Sequence, residues 1–265
     1  MTMLAAQEPE LLIEVLRGDR AQRPRRDDTI AAGLRALIED HVFEVLGPQR
    51  RDSALVVTSS TMRRSDSRLE MSDISLGRVR GVAISLLLRL VVAQVHVENP
   101  FEDAVRAWRG ERPQDELLGV VEYLDADQRA RLRADVEAHF ATLTRCLGPI
   151  PSNWWPRTSL RARQMFGGGN VRLHDVVDLA VGSTHGDFAS VALVDVTTSP
   201  LDAGAERVMR FHALVQTLRT SIVPLRTSMF SSATGELWSL DVDAEVLMRA
   251  VSDLVEILTT ARSDS

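Results

Sequence analysis

Lysine is missing from this chain, so all 31 basic residues are arginine. The absence excludes any mechanism that needs an amine to take up a proton, because the arginine guanidinium stays charged at every working pH. A genome rich in G and C produces the same bias, so the missing lysine is read first as composition. Cysteine is almost missing too. Cys146 alone can close no internal disulfide and build no zinc cluster, which suits a reducing compartment. The first residues, MTMLAAQEPELLIEVLRG, lack the basic start and unbroken apolar run of a secretion signal. A cytoplasmic location is therefore expected. The most apolar stretch, 76–97, is interrupted by Arg78, Arg80 and Arg89, so it reads as a core helix and not as a membrane span. A net charge of -6 argues against a dedicated DNA-coating protein while leaving room for a local basic patch.

Apolar residues make up 45% of the 265 residues, enough for a substantial core. Helical spacing is plain from Ile30 to Val45, with Asp28 or Thr29 as the expected cap and Gly47-Pro48 as the stop. A shorter amphipathic helix is expected around Leu11 to Leu16, and 19–28 reads as a charged linker. Helices are also expected over 100–110 and 113–123, and Asp125-Ala126-Asp127 should cap a long helix ending at Leu147. Pro149, Pro151 and Pro156 bracket Trp154 and Trp155. They suggest a boundary between a mainly helical N-terminal region, 1–150, packing on an α/β core, 151–265, with the tryptophans plugging the seam. GGGN at 167–170 lacks the Lys-Ser/Thr of a phosphate loop and reads as a hairpin turn between 161–166 and 171–174.

Chemistry concentrates in 171–198. Apolar residues crowd 176–181 and 191–196, separated by Gly182, Ser183 and Gly186, a pattern of two strands joined by a polar loop. Asp178 lies in the first strand and Asp195 near the end of the second, with Thr197 on the same face as Asp195. Paired as a hairpin, the two carboxylates can converge and offer oxygen ligands to a hard cation such as Mg²⁺ or Mn²⁺. Downstream come a helix over 203–220, a strand over 225–232 and a helix over 244–260.

This order of strands and helices, with an acid on one strand and an acid two residues before a third position on the next, resembles the PD-(D/E)XK nuclease superfamily, in particular its RecB-like branch. The resemblance covers about 154–258. It implies an α/β fold with a restriction-endonuclease-like core, a small mixed sheet flanked by helices, preceded by the mainly helical N-terminal region. It also implies metal-dependent phosphodiester hydrolysis on DNA, with a protein partner such as a helicase compatible with the branch. Asp178 takes the first acid position and Asp195 the second, both as metal ligands, and Thr197 stands where the family has its lysine. On the upstream helix Gly81 is followed by Ser85 where the family carries a histidine, and His212 stands where an aromatic is expected on the helix after the second acid. Three readings stay open: a nuclease fold with a weakened or inactive metal site, a working Mg²⁺-dependent DNA nuclease in which Arg207 or Arg210 supplies the missing charge, and a non-catalytic interaction domain.

Overall fold

The computed structural model describes residues 2–5, 15–16, 23–47, 53–63, 71–148, 150–183, 185 and 188–263. The expected helix at 11–16 lies mostly outside these residues, as do 19–22 of the expected linker; within the rest of it, Arg25 makes an isolated bridge with Phe188 and Asp28 already begins a helix. The first strand, β1 (Thr2–Ala5), is followed by α1 (Asp28–Leu46), β2 (Leu55–Thr58) and the short α2 (Ser59–Arg63). Four helices come next: α3 (Met71–Val92), α4 (Pro100–Glu111), α5 (Glu116–Tyr123) and α6 (Ala126–Leu147). The C-terminal half runs β3 (Arg157–Phe166), β4 (Val171–Val181), β5 (Ala192–Thr197), α7 (Ala203–Thr220), β6 (Arg226–Ser231), β7 (Glu236–Asp241) and α8 (Ala244–Ser263).

The fold is a mixed α/β sheet flanked by helices, with the N-terminal region mainly helical, as the sequence implies. The seven strands follow the order β1-β7-β6-β5-β4-β2, with β3 also paired to β4. β3, β4 and β5 are successively antiparallel, and after the α7 crossover β6 lies parallel to β5. The N-terminal region does more than pack on this sheet. It contributes β1, antiparallel to β7, and β2, parallel to β4, so the 150/151 boundary cuts through one sheet.

Local chemistry explains the helix ends. Asp27, not Asp28 or Thr29, caps α1: its carboxylate accepts from the Thr29 N–H at 2.9 Å and the Thr29 hydroxyl at 2.6 Å. Asp125 and Gln128 form a reciprocal capping box at the start of α6. Residues 171–174 and 176–181 form one continuous strand, because β3 pairs along β4 from Phe166 opposite Val171 to Arg157 opposite Ala180. Trp155 does not plug a seam, since 57% of its surface is exposed.

Two cores sandwich the sheet. On one face α1, α7 and α8 pack over Val171, Leu173 and Met229; on the other, α3 to α6 pack over Leu179, Val181, Val194 and Phe230. Met229 and Phe230 are neighbours on β6 and enter opposite cores, which is the alternation expected of a strand buried on both faces.

Candidate active site

A strand has two edges, and β3 occupies one edge of β4 along nearly its whole length. The other edge is shared. β2 takes residues 171–174 and β5 takes 179–181, leaving Asp175 to Asp178 between the tips of two different strands. Side-chain alternation slips in this gap. Asp175 bonds His212 on α7, whereas Leu179, four residues on, packs into the α3–α6 core. Strict period-two alternation would place both on one face. The slip falls at Ser159 and Asp178, which face each other without pairing, and Ser159 takes the left-handed backbone with φ 51°. Asp178 therefore sits where the strands part and a side chain can reach between them.

Beyond the Leu179–Val194 pair, the Val196 N–H donates to Asp178 Oδ2 at 2.9 Å. Ser85 on α3 donates its hydroxyl to Asp178 Oδ1. Burial first, and then the adjacent Asp195 carboxylate, push Asp178 up to about 7, against the lowering pull of the Ser85 and Val196 hydrogen bonds. Two carboxylates in contact retain a proton well above the usual carboxylate range. A hard cation can take that proton's place, and the donor set, oxygen on both sides, suits Mg²⁺ or Mn²⁺. Among the described residues no group of three or more His, Cys, Asp or Glu side chains could hold a metal ion. Mg²⁺ is commonly held by one or two carboxylates, with water and substrate phosphate filling the remaining positions, so the pair fits such an ion.

Behind Asp195 stands His212, 1% exposed on α7. Its Nδ1 lies 2.8 Å from Asp175 Oδ1 and its Nε2 3.6 Å from Asp195 Oδ2, too far for a hydrogen bond but near enough for charge attraction. Burial would drive this imidazole toward neutrality. The charge and hydrogen bond of Asp175, joined by Asp195, reverse that and hold His212 well above its ordinary range. Asp175, His212, Asp195, Asp178 and Ser85 thus form one chain of polar groups running through the sheet from α7 to α3.

Thr197 is nearly buried, and its hydroxyl accepts from Arg63 Nη1 at 3.0 Å and from the Ser199 N–H at 3.2 Å. Arg63 comes from α2, directly after β2, and is further held by the Pro200 carbonyl at 3.3 Å and Asp202 at 3.5 Å. A guanidinium from the N-terminal region therefore stands beside the position where the resemblance places a lysine. Arg80 reaches the Thr198 carbonyl at 3.5 Å, and Ser232 bonds the Thr197 carbonyl and, at 2.9 Å, His139. Burial and the charge of Arg80 lower His139.

The structure thus brings Ser85 and Asp195 to Asp178, while Thr197, two residues beyond Asp195 on β5, engages Arg63 and Ser199. It does not bring Arg210, which is held by Glu206 at 2.6 Å and Asp253 at 2.8 Å, or Arg207, which pairs with Glu256 at 3.0 Å. Arg63 and Asp175 went unnoticed in the sequence. Asp175 carried a signal, since an acid in the apolar run VRLHDVVDLAV needs a buried partner. Arg63, 134 residues from Thr197, carried none.

No helix among the described residues is long and apolar enough to cross a membrane. No protein-family model matches the chain, and no curated protein matches it. Among solved structures, one titled "Crystal structure of SSO0001" aligns over 86% of each chain at 9% identity with a TM-score of 0.30, a likeness too slight to carry an argument about this chain.

Proposed function

We propose that this chain is a PD-(D/E)XK nuclease-fold protein of the RecB-like type that acts on DNA during its processing or repair, with a weakened metal site. One observation carries the reading: Asp178, held at the point where β4 and β5 part by the Val196 N–H, lies beside the Asp195 carboxylate, and burial together with that neighbouring charge raises it. The strand order β3-β4-β5, then α7, then β6 parallel to β5, supports it.

Asp178 and Asp195 would hold Mg²⁺ or Mn²⁺, which when bound polarises a phosphate oxygen and acidifies water. His212, anchored by Asp175, faces Asp195 at 3.6 Å and attracts its charge. Ser85 and the Val196 N–H fix the two Asp178 oxygens. The weakness lies on β5. Thr197 cannot orient or deprotonate water as an amine can, and its hydroxyl is already engaged by Arg63. Loss of one such electrostatic contributor costs a rate factor of about 10²–10³.

A second reading, a working nuclease, is favoured by Arg63, whose guanidinium adjoins Thr197 and can offset charge on a phosphate. Incubation with linear and nicked DNA and Mn²⁺ separates the two. The weakened site predicts cleavage at most at a trace rate, lost in Asp195→Ala; brisk cleavage that Arg63→Ala abolishes favours the second. A parent chain that takes up no metal leaves the interaction-domain reading and sinks both.

A further inference from the structure

Among the described residues the α3–α6 layer covers β5, β6 and the far end of β4, whereas at the nearer end of that same face, formed by β2, β4 and β3, no described helix lies over the outward side chains. Its residues are set by register. Arg161 lies opposite Val176, Arg163 opposite His174, and Met165 opposite Arg172, which also faces Val56 on β2. Arg161, Arg163 and Arg172 are exposed, as are Met165 at 62%, Val176 at 47% and Val56 at 42%. No acid stands among these outward positions, since Asp175 turns to the opposite face and bonds His212. Many other arginines of this acidic chain are tied to carboxylates, as Arg89 is to Glu111 and Arg226 to Asp241. Among the described residues, Arg161, Arg163 and Arg172 have no such partner. The face also has a direction. Arg172, His174 and Val176 follow one another along β4 toward Asp178, about 20 Å in all at ~3.3 Å per residue. That is the length of about six base pairs.

We propose that this face is the surface on which DNA docks, its phosphates held by Arg161, Arg163 and Arg172 and its backbone led along β4 to Asp178. The inference rests on the nuclease-type reading and adds the path by which substrate reaches the site. Charge complementarity selects the occupant: three exposed guanidiniums with no acid partner among the described residues attract a polyanion, while Val56, Met165 and Val176 give the apolar floor between them.

The test is anisotropy of a labelled 20-base-pair duplex with the full chain, in chelator so that nothing is cut, from about 50 to 200 mM salt. Each phosphate contact contributes about 0.9 to the slope of log affinity on log salt. Replacing all three arginines by alanine should flatten the slope by about 2.7, so that the parent's affinity falls about 40-fold more than the variant's across that range. Replacing the same three by lysine should keep the slope, which separates charge from packing. An unchanged slope in the alanine variant, a parent that binds no duplex, or an alanine variant that loses only self-association would each overturn the proposal. The metal site is read separately by Mn²⁺ calorimetry. A flattened slope without Mn²⁺ heat leaves the docking face standing and removes the nuclease reading; Mn²⁺ heat with an unchanged slope does the reverse.

Discussion

Replacing Asp178 by asparagine should stabilise the metal-free protein at alkaline pH relative to the parent. Asp178 titrates from 3.8 in the unfolded chain to about 7 in the folded one, raised by burial and by Asp195. Between those values the native state keeps a proton that the unfolded chain has released. Stability of the parent must therefore fall as pH rises through the window, and level off above about 7. At ~1.4 kcal/mol per pH unit the full span is worth about 4 kcal/mol, and the part of it that lies between pH 5 and about 7 is worth about 1–3 kcal/mol. Asparagine does not titrate, yet it can keep the geometry: its carbonyl accepts the Val196 N–H and its amide donates to the Ser85 hydroxyl. Denaturant titrations of both proteins in chelator at several pH values should show the variant gaining on the parent by about 1–3 kcal/mol from pH 5 to pH 8. A gap that stays constant with pH would refute the claim that the two carboxylates share one site, and a gap that moves the other way would do so more strongly.

Other outcomes follow from the same contacts. Thr197→Lys alone places an ammonium beside Arg63 and should not restore cleavage, whereas Arg63→Ser with Thr197→Lys keeps a single cation there and should raise cleavage of linear DNA by tenfold or more, within the ~10²–10³ span of one electrostatic contributor. Asp175→Asn strips the buried His212 of its counter-charge and should cost about 3–5 kcal/mol by denaturant titration at pH 6. That loss should shrink as pH rises, because a raised His212 contributes fully below about 6.5 and loses its contribution as pH passes its folded value. Gly182→Ala should lower the midpoint of thermal unfolding by several degrees: φ is 100° there, and an added Cβ would lie 2.0 Å from the Ser190 carbonyl oxygen.

The hairpin carrying Asp178 and Asp195 was legible because alternation and turn residues act locally. The α1 periodicity, the Asp125 cap and the GGGN turn were legible for the same reason. What escaped depends on distant pairing. β7, ELWSLD, is short and mixed in character, and it gains its strand conformation by lying antiparallel to β6. β2 joins β4 in parallel across more than a hundred residues, and that join delivers Arg63 to Thr197. Arg210 on α7 is claimed by Glu206 one turn earlier, a local pair, and by Asp253 on α8, which no local pattern reveals. Ser85 was placed only through the family resemblance. Its hydrogen bond to Asp178 rests on how α3 crosses the sheet.

Isothermal titration of the chelator-stripped protein with Mn²⁺, beside Asp195→Ala, bears most directly on the site. The parent should give a saturable heat that varies with the buffer's ionisation enthalpy near pH 6, as the ion displaces the proton held by Asp178, and the variant should give none. No heat from the parent, or the same heat from both proteins, would contradict the account.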